Sequence, residues 1–314
     1  MSNPYLSLVI PVYNEAENLE TLYQRLTTTL NTFGQSYEIL LVNDGSQDDS
    51  YRLLNALQKK CPEHLRIIHF NGNFGQHMAI MAGFERVRGE IIITLDADLQ
   101  NPPEEIPKLV ALIESGYDYV GGIRKDRQDT FFRRYASKLN NWLRYKMTKI
   151  HLSDQGCMLR AYRRSLIDLV VTSKESTLYI PIQAYNLATN PTELVVRHEE
   201  REAGKSKYNL YRLLRLNFDL MTGFSLLPLQ IFTMFGIVIS LFSGFFVVFM
   251  LVRRVLVGPE AEGLFTLFAL LFFLIGMVLM GLGIMGEYIG RIYQEVRKRP
   301  RYVIKEIVEQ NPPA

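Results

Sequence analysis

From Ile231 to Val252, and again from Leu264 to Gly286, the chain carries no charged side chain. Each stretch is about twenty-two residues, enough for an α-helix to cross the hydrocarbon core of a bilayer. A lone segment at that depth must satisfy its own backbone, which a helix does. The pair therefore predicts two membrane-spanning helices. Two long core helices of a soluble fold are the alternative, and such helices rarely lack charge altogether. Arg253, Arg254, Glu260 and Glu262 occupy the short connection, whereas Arg291, Arg297, Lys298, Arg299, Arg301 and Lys305 follow the second stretch. Lys and Arg accumulate on the cytoplasmic side of membrane helices. The tail is expected there, and two spans return the N-terminal part to the same side.

The whole-chain average of 48% hydrophobic residues conceals a division. Residues 1–205 read as an α/β domain, 206–230 as juxtamembrane amphipathic helices, 231–289 as the two spans and 290–314 as a cytoplasmic tail. A net charge of +3 spread over 314 residues gives no footprint for nucleic acid. Cys61 and Cys157 lack metal-site spacing and form no disulfide framework, so a reducing compartment is expected. No secretory leader pattern opens the sequence.

Within the first part, Ile91-Ile92-Ile93-Thr94-Leu95 runs straight into Asp96-Ala97-Asp98-Leu99-Gln100. A short apolar run suits a strand buried on both faces of a parallel sheet. In open α/β sheets, ligands sit beyond the carboxyl ends of such strands. Two carboxylates one residue apart, with Gln100 adding a neutral oxygen, suit Mg²⁺ or Mn²⁺ shared with substrate phosphates. An acidic loop that only solvates a strand end is the plainer alternative.

Other strands reach the same edge. Leu6–Pro11 precedes Val12-Tyr13-Asn14-Glu15, and Leu19, Leu22, Leu26 and Leu30 then keep helical spacing. Glu38–Val42 ends in Asn43-Asp44-Gly45-Ser46, where Asp44 serves either as a site carboxylate or as a helix N-cap. Arg66–Phe70 leads to a turn with Gly72 and Gly75, whose N–H groups either face an anion or serve the turn alone; His77 falls in the first turn of the next helix. Asn101-Pro102-Pro103-Glu104-Glu105 starts a helix, and Tyr117–Ile123 is a fifth strand. Alternating strands and helices imply a mostly parallel, Rossmann-like sheet. No G-x-G-x-x-G follows the first strand, which excludes a dinucleotide oxidoreductase. Arg124 opens a basic run that is either a solvated face or, at a strand end, a partner for diphosphate. Asp154 offers a further carboxylate before a sixth strand. Arg201, Ser206 and Lys207 form a basic cluster ahead of an interfacial helix pattern, which suits contact with membrane lipids.

Taken together, Pro-Val-Tyr-Asn-Glu (11–15), Asn-Asp-Gly-Ser (43–46), Asp-Ala-Asp-Leu-Gln (96–100), Arg201 with Ser206-Lys207-Tyr208, and two terminal spans resemble the polyprenyl-phosphate glycosyltransferases of the GT-A fold, within glycosyltransferase family 2. The likeness runs from about Leu6 to Arg301. Phe74–Phe84, Asp96–Pro107, Gly156–Arg164 and Gly286–Tyr293 further resemble the members that transfer a formylated aminoarabinose. Gly121-Gly122-Ile123 and Asp154-Gln155 depart from the related pattern. The resemblance implies that Pro11, Tyr13, Glu15, Asp44, Gly75 and Asp96 hold the nucleotide. It implies that Asp96, Asp98 and Gln100 hold metal and diphosphate, and that Arg201, Ser206 and Lys207 hold the lipid phosphate. Asp154 resembles a carboxylate proposed as base in related enzymes. The same resemblance implies a homo-tetramer whose tail, around Arg301–Ile307, packs against a neighbour.

The expected reaction is an inverting transfer of sugar from a UDP-sugar to undecaprenyl phosphate at the bacterial inner membrane, with Asp98, Asp154 and Arg124 as the catalytic group. If formamido-arabinose is the sugar, the product feeds lipid A modification and polymyxin resistance. Glucosyl or mannosyl transfer to the same lipid is the nearest alternative. A non-catalytic adaptor that binds nucleotide sugars is another. A processive synthase is disfavoured, since no Gln-x-x-Arg-Trp occurs.

Overall fold

The computed structural model describes residues 3–124, 153–154, 156–173, 179–199, 227–258, 264–296 and 300–310. The chain forms two compact units; the first takes in Met1–Asn140, Ile150–Ser206 and Pro300–Ala314, the second Asn141–Lys149 and Lys207–Arg299.

In the first unit β1 (Leu6–Val12), α1 (Leu19–Phe33), β2 (Tyr37–Asn43), α2 (Ser50–Lys60), β3 (Leu65–Phe70), α3 (Gln76–Phe84) and β4 (Ile91–Thr94) alternate as the apolar spacing requires. A 3-10 turn, Pro103–Glu105, leads into α4 (Ile106–Glu114), then β5 (Tyr119–Arg124). Next come β6 (Arg160–Arg163), α5 (Arg164–Thr172), α6 (Ile180–Leu187) and β7 (Pro191–Val196). All four leucines of the α1 stripe are buried, as are all seven residues of β2. A strand with both faces covered by helices has no solvent side, which is why β2 and β4 read as continuous apolar runs.

The sheet has eight strands in the order β7-β5-β6-β4-β1-β2-β3-β8, where β8 is Ile304–Val308. β1 is parallel to β2 and β4, β2 to β3, and β5 to β7. β6 is antiparallel to both β4 and β5. β4 and β5 therefore run the same way, and the carboxyl ends of β1, β2, β3, β4, β5 and β7 share one edge. That alignment positions the site. The parallel expectation holds, with β6 as an antiparallel insertion.

The tail joins the sheet: β8 pairs antiparallel with β3 of its own chain. β3 offers an unpaired edge, which an extended segment satisfies by main-chain pairing. Side chains reinforce the pairing: Phe70 stacks on Tyr302 at 5.0 Å, and Arg66 bridges Glu38 at 2.9 Å and Glu309 at 2.7 Å.

In the second unit α7 (Leu227–Val257) and α8 (Leu264–Val296) contain 31 and 33 residues, overrunning the predicted spans. Among the described residues one window, Phe273–Gly290, is long and apolar enough to cross a membrane. Phe242 and Phe245 on α7, like Phe273 and Leu279 on α8, are exposed. The helices approach at Gly281, where a Cβ would stand 2.2 Å from the Phe232 ring. Of the juxtamembrane segment expected over 206–230, residues 206–226 lie outside the described residues, and Leu227–Gln230 already belong to α7.

Candidate active site

The first wall of the site is built by two strand exits locked together. Asn14, just past β1, adopts φ 55, a conformation that asparagine tolerates better than most residues. Its N–H donates to Ser46 Oγ at 3.0 Å, and its Oδ1 accepts the Gln47 N–H at 2.7 Å. The Ala16 N–H donates to Asp48 Oδ2 at 3.1 Å. Tyr13 is exposed, while Pro11 and Glu15 are half-buried beside it. Asn18 Nδ2 donates to Glu15 Oε2 at 2.6 Å, which fixes that carboxylate.

Asp44, at the end of β2, is buried and accepts the N–H groups of Phe74 at 2.7 Å and Gly75 at 2.9 Å. Burial pushes its carboxyl up, against the pull of those two donors. α2 starts at Ser50, so Asp44 does not cap it. Of the turn's N–H groups, those of Phe74 and Gly75 face Asp44. Gly45 allows this, with φ 67 and a Cβ position only 2.4 Å from the Gly72 carbonyl carbon.

The acidic turn after β4 is held by its own backbone. Asp98 Oδ1 accepts the Gln100 N–H at 3.1 Å across Leu99, a buried residue at φ 62. An L-residue in that conformation costs about 1–2 kcal/mol, here compensated by the buried leucine side chain. Gln76, from the first turn of α3, hydrogen-bonds Asp96 Oδ1. Burial first, and then the Asp98 carboxylate, push Asp96 up to about 7. Arg124 and Glu15 also stand close enough to act on it. Two mutually repelling carboxylates are a hard-oxygen donor set of the kind a divalent cation relieves. Among the described residues no three His, Cys, Asp or Glu side chains already enclose one point. Mg²⁺-type sites commonly complete their shell with substrate phosphate and water.

Opposite stands an ion pair. Arg124 closes β5 and reaches Asp154 with Nε–Oδ2 at 2.6 Å and Nη2–Oδ1 at 2.8 Å. Burial alone would raise the Asp154 carboxyl; the Arg124 hydrogen bonds and charge overcome it and hold the group below the usual carboxylate range. Fully buried Arg160 fixes the loop beneath, donating to the carbonyls of Asp154 at 2.7 Å and Cys157 at 2.8 Å. The structure thus pairs Asp154 with Arg124.

Two residues missed in the sequence also belong here. Gln76 holds Asp96, as above. His198, two residues beyond β7, is held beside the acidic turn by the Glu199 N–H bond to the Gln100 carbonyl at 2.9 Å, and burial, then the Arg124 charge, lower its pKa from the usual histidine value. The strand order supplied the missing signal: a parallel strand beside β5 ends on the same edge. His77 lies in the first turn of α3 as read, packed on Tyr179 at 4.7 Å. Arg201, Ser206 and Lys207 lie outside the described residues.

Parallel strand ends that bring an Asp-x-Asp pair, two interlocked turns and an arginine to one edge are the arrangement of a glycosyltransferase of the GT-A type. The chain belongs to glycosyltransferase family 2: the family model described as "Glycosyl transferase family 2" matches residues 7–170. It is 48% identical over 311 residues to the undecaprenyl-phosphate 4-deoxy-4-formamido-L-arabinose transferase of Edwardsiella ictaluri, covering 98% of this chain and 96% of that one. The transferase of the same name from Klebsiella pneumoniae is 50% identical, with 97% and 94% covered. Among solved structures, glucosyl-3-phosphoglycerate synthase from Mycobacterium tuberculosis, with Mn²⁺, UDP and glucosyl-3-phosphoglycerate, aligns with a TM-score of 0.50. At 14% identity over 70% of this chain and 78% of that one, this likeness concerns the fold alone. The protein is an enzyme, a glycosyltransferase.

Proposed function

We propose that the enzyme transfers 4-deoxy-4-formamido-L-arabinose from UDP to undecaprenyl phosphate at the cytoplasmic face of the bacterial inner membrane. One observation carries the sugar and the acceptor: near-half identity, over nearly the full length of both chains, to transferases of that name. The product would supply lipid A modification and so polymyxin resistance. Both long helices span the membrane in this reading; their exposed aromatic and aliphatic surfaces support it.

In the proposed reaction the lipid phosphate oxygen attacks the anomeric carbon and UDP leaves from the opposite face, through an oxocarbenium-like state. Pro11, Tyr13, Glu15 and Asp44 frame the uridine. Asp96 and Asp98, with Gln100, hold Mg²⁺ or Mn²⁺, which when bound offsets the growing charge on the diphosphate. Arg124, kept straight by Asp154, adds a fixed cation beside the leaving group. A phosphate monoester has a second pKa near about 6, so the nucleophile is mostly ionised at neutral pH. No strong base is required, which agrees with an Asp154 committed to Arg124.

Arg201, Ser206 and Lys207 receive the lipid phosphate. Replacing Arg201 or Lys207 raises the KM for lipid more than that for UDP-sugar in this account; the reverse pattern contradicts it. The direct test is a panel of UDP-sugars, including the formylated aminoarabinose, incubated with undecaprenyl phosphate and a divalent metal. Mass spectrometry of the lipid product should show the formamido sugar. Glucosyl or mannosyl lipid in its place overturns the sugar assignment.

A further inference from the structure

Behind the wall made by the β1 and β2 exits lies His69, fully buried on β3 and paired in register with Asn43 at the end of β2. The two side chains meet, with Asn43 Nδ2 and His69 Nδ1 3.0 Å apart. An amide nitrogen only donates, whereas an imidazole nitrogen donates or accepts according to its proton. The other end of the amide decides which. Asn43 Oδ1 accepts the Ser46 N–H at 3.0 Å, so Nδ2 is the atom turned to the ring. His69 Nδ1 is then an acceptor and the proton sits on Nε2, which donates to Asn55 Oδ1 at 3.3 Å. A single neutral tautomer satisfies all of these groups, and a doubly protonated ring would set donor against donor.

The surroundings keep the ring neutral. Tyr51 of α2 packs on it at 4.4 Å and hydrogen-bonds Glu306 of β8, which lies opposite His69 in the register. Lys305 Nζ stands over the Tyr51 ring at 4.7 Å. Burial lowers the His69 pKa to about 4; Glu306 pulls the other way, and Lys305 adds to the lowering.

The ring therefore governs a chain of contacts that ends in the site. Ser46, whose N–H is fixed by Asn43, accepts the Asn14 N–H through its Oγ at 3.0 Å. Asn14 in turn lies between Tyr13 and Glu15. Without the Nδ1 acceptor, Asn43 Nδ2 is left unmatched in the interior, which is costly. Rotating the amide to relieve this would turn its NH₂ on the Ser46 N–H and release the turn.

We propose that His69 is a positioning residue for the nucleotide: its Nδ1 lone pair sets the Asn43 amide, the amide sets Ser46, and Ser46 sets the Asn14 turn that frames the uridine. The inference rests on the nucleotide-sugar reading above and adds to it a residue one strand removed from the proposed ligand.

The test is calorimetric titration of UDP, with Mn²⁺ present, into the full-length enzyme in detergent and into three variants. His69→Leu and His69→Val remove the acceptor. His69→Asn is close to valine in size but places its Oδ1 two bonds from Cβ, where Nδ1 stood. The Kd for UDP should rise about fivefold in both acceptor-free variants, the scale of one lost hydrogen bond. In His69→Asn it should stay within about twofold of the unaltered protein. A ring that only fills space predicts a different order, with valine and asparagine weakened alike and leucine least affected. That order, or unchanged affinity in His69→Leu and His69→Val, overturns the proposal. Failure of the unaltered protein to bind UDP would instead sink the nucleotide-sugar reading on which the proposal stands.

Discussion

Arg124 and Asp154 lie 30 positions apart and meet in a two-point ion pair, Nε–Oδ2 2.6 Å and Nη2–Oδ1 2.8 Å, across the mouth of the sheet. Both side chains are mostly enclosed. Removing one member of such a pair leaves the other charged and unpaired, at a cost of about 3–5 kcal/mol. Arg124→Met should therefore lower unfolding stability by about 3 kcal/mol, toward the low end because Arg124 retains some solvent contact. Denaturant unfolding, followed by the near-ultraviolet signal, measures it.

The same pair sets a pH dependence. Asp154 is held below the ordinary carboxylate value in the folded chain, so on acidification the unfolded chain takes up the proton first. The stability that the pair contributes is complete above about pH 4, and is lost as the pH falls through the lowered folded value. The stability gap between the unaltered protein and Arg124→Met should accordingly narrow as the pH falls below about 4. A gap that stays constant through that window means Asp154 is not held down by Arg124.

Catalysis should rank the carboxylates differently from stability. Asp98→Asn removes a proposed cation ligand and should cut the initial rate at least about a hundredfold, the scale of losing one transition-state charge contact. Asp154→Asn keeps the shape of its side chain and should cost much less at a temperature where it remains folded. Equal losses in initial-rate assays refute that ordering.

Much of this fold was legible because its signals are local. Five strands, the α1 leucine stripe and the helix start at Pro102-Pro103 follow from periodicity and proline placement alone. The pairing of Arg124 with Asp154 was not legible, since β6 reverses direction between β4 and β5 and no local pattern announces that. The partners of Asp44 were hidden for a related reason: its donors, Phe74 and Gly75, arrive from another strand exit. β8 was missed because five residues beside a basic tail carry little pattern until an open edge pairs with them. His198 stayed hidden because a histidine between charged residues has no signature without β7 to aim it.

Gly45 offers a purely structural check on the wall proposed to frame the nucleotide. A Cβ there would meet the Gly72 carbonyl carbon at 2.4 Å, at a φ of 67 that L-residues avoid. Gly45→Ala should cost more than about 2 kcal/mol, the left-handed penalty alone being about 1–2 kcal/mol. It should also weaken UDP binding, because the β2 exit and the turn after β3 can no longer close on each other. Wild-type stability in this variant, by thermal unfolding, would show that the two turns do not meet.

The central claim is that carboxylates at the end of β4 hold a cation, and through it the donor diphosphate. Calorimetric titration of UDP into the full-length enzyme, with and without Mn²⁺, and into Asp98→Asn, tests it most directly. The account predicts tight binding only when Mn²⁺ and Asp98 are both present. UDP binding of equal strength in metal-free protein, or in Asp98→Asn, would contradict it.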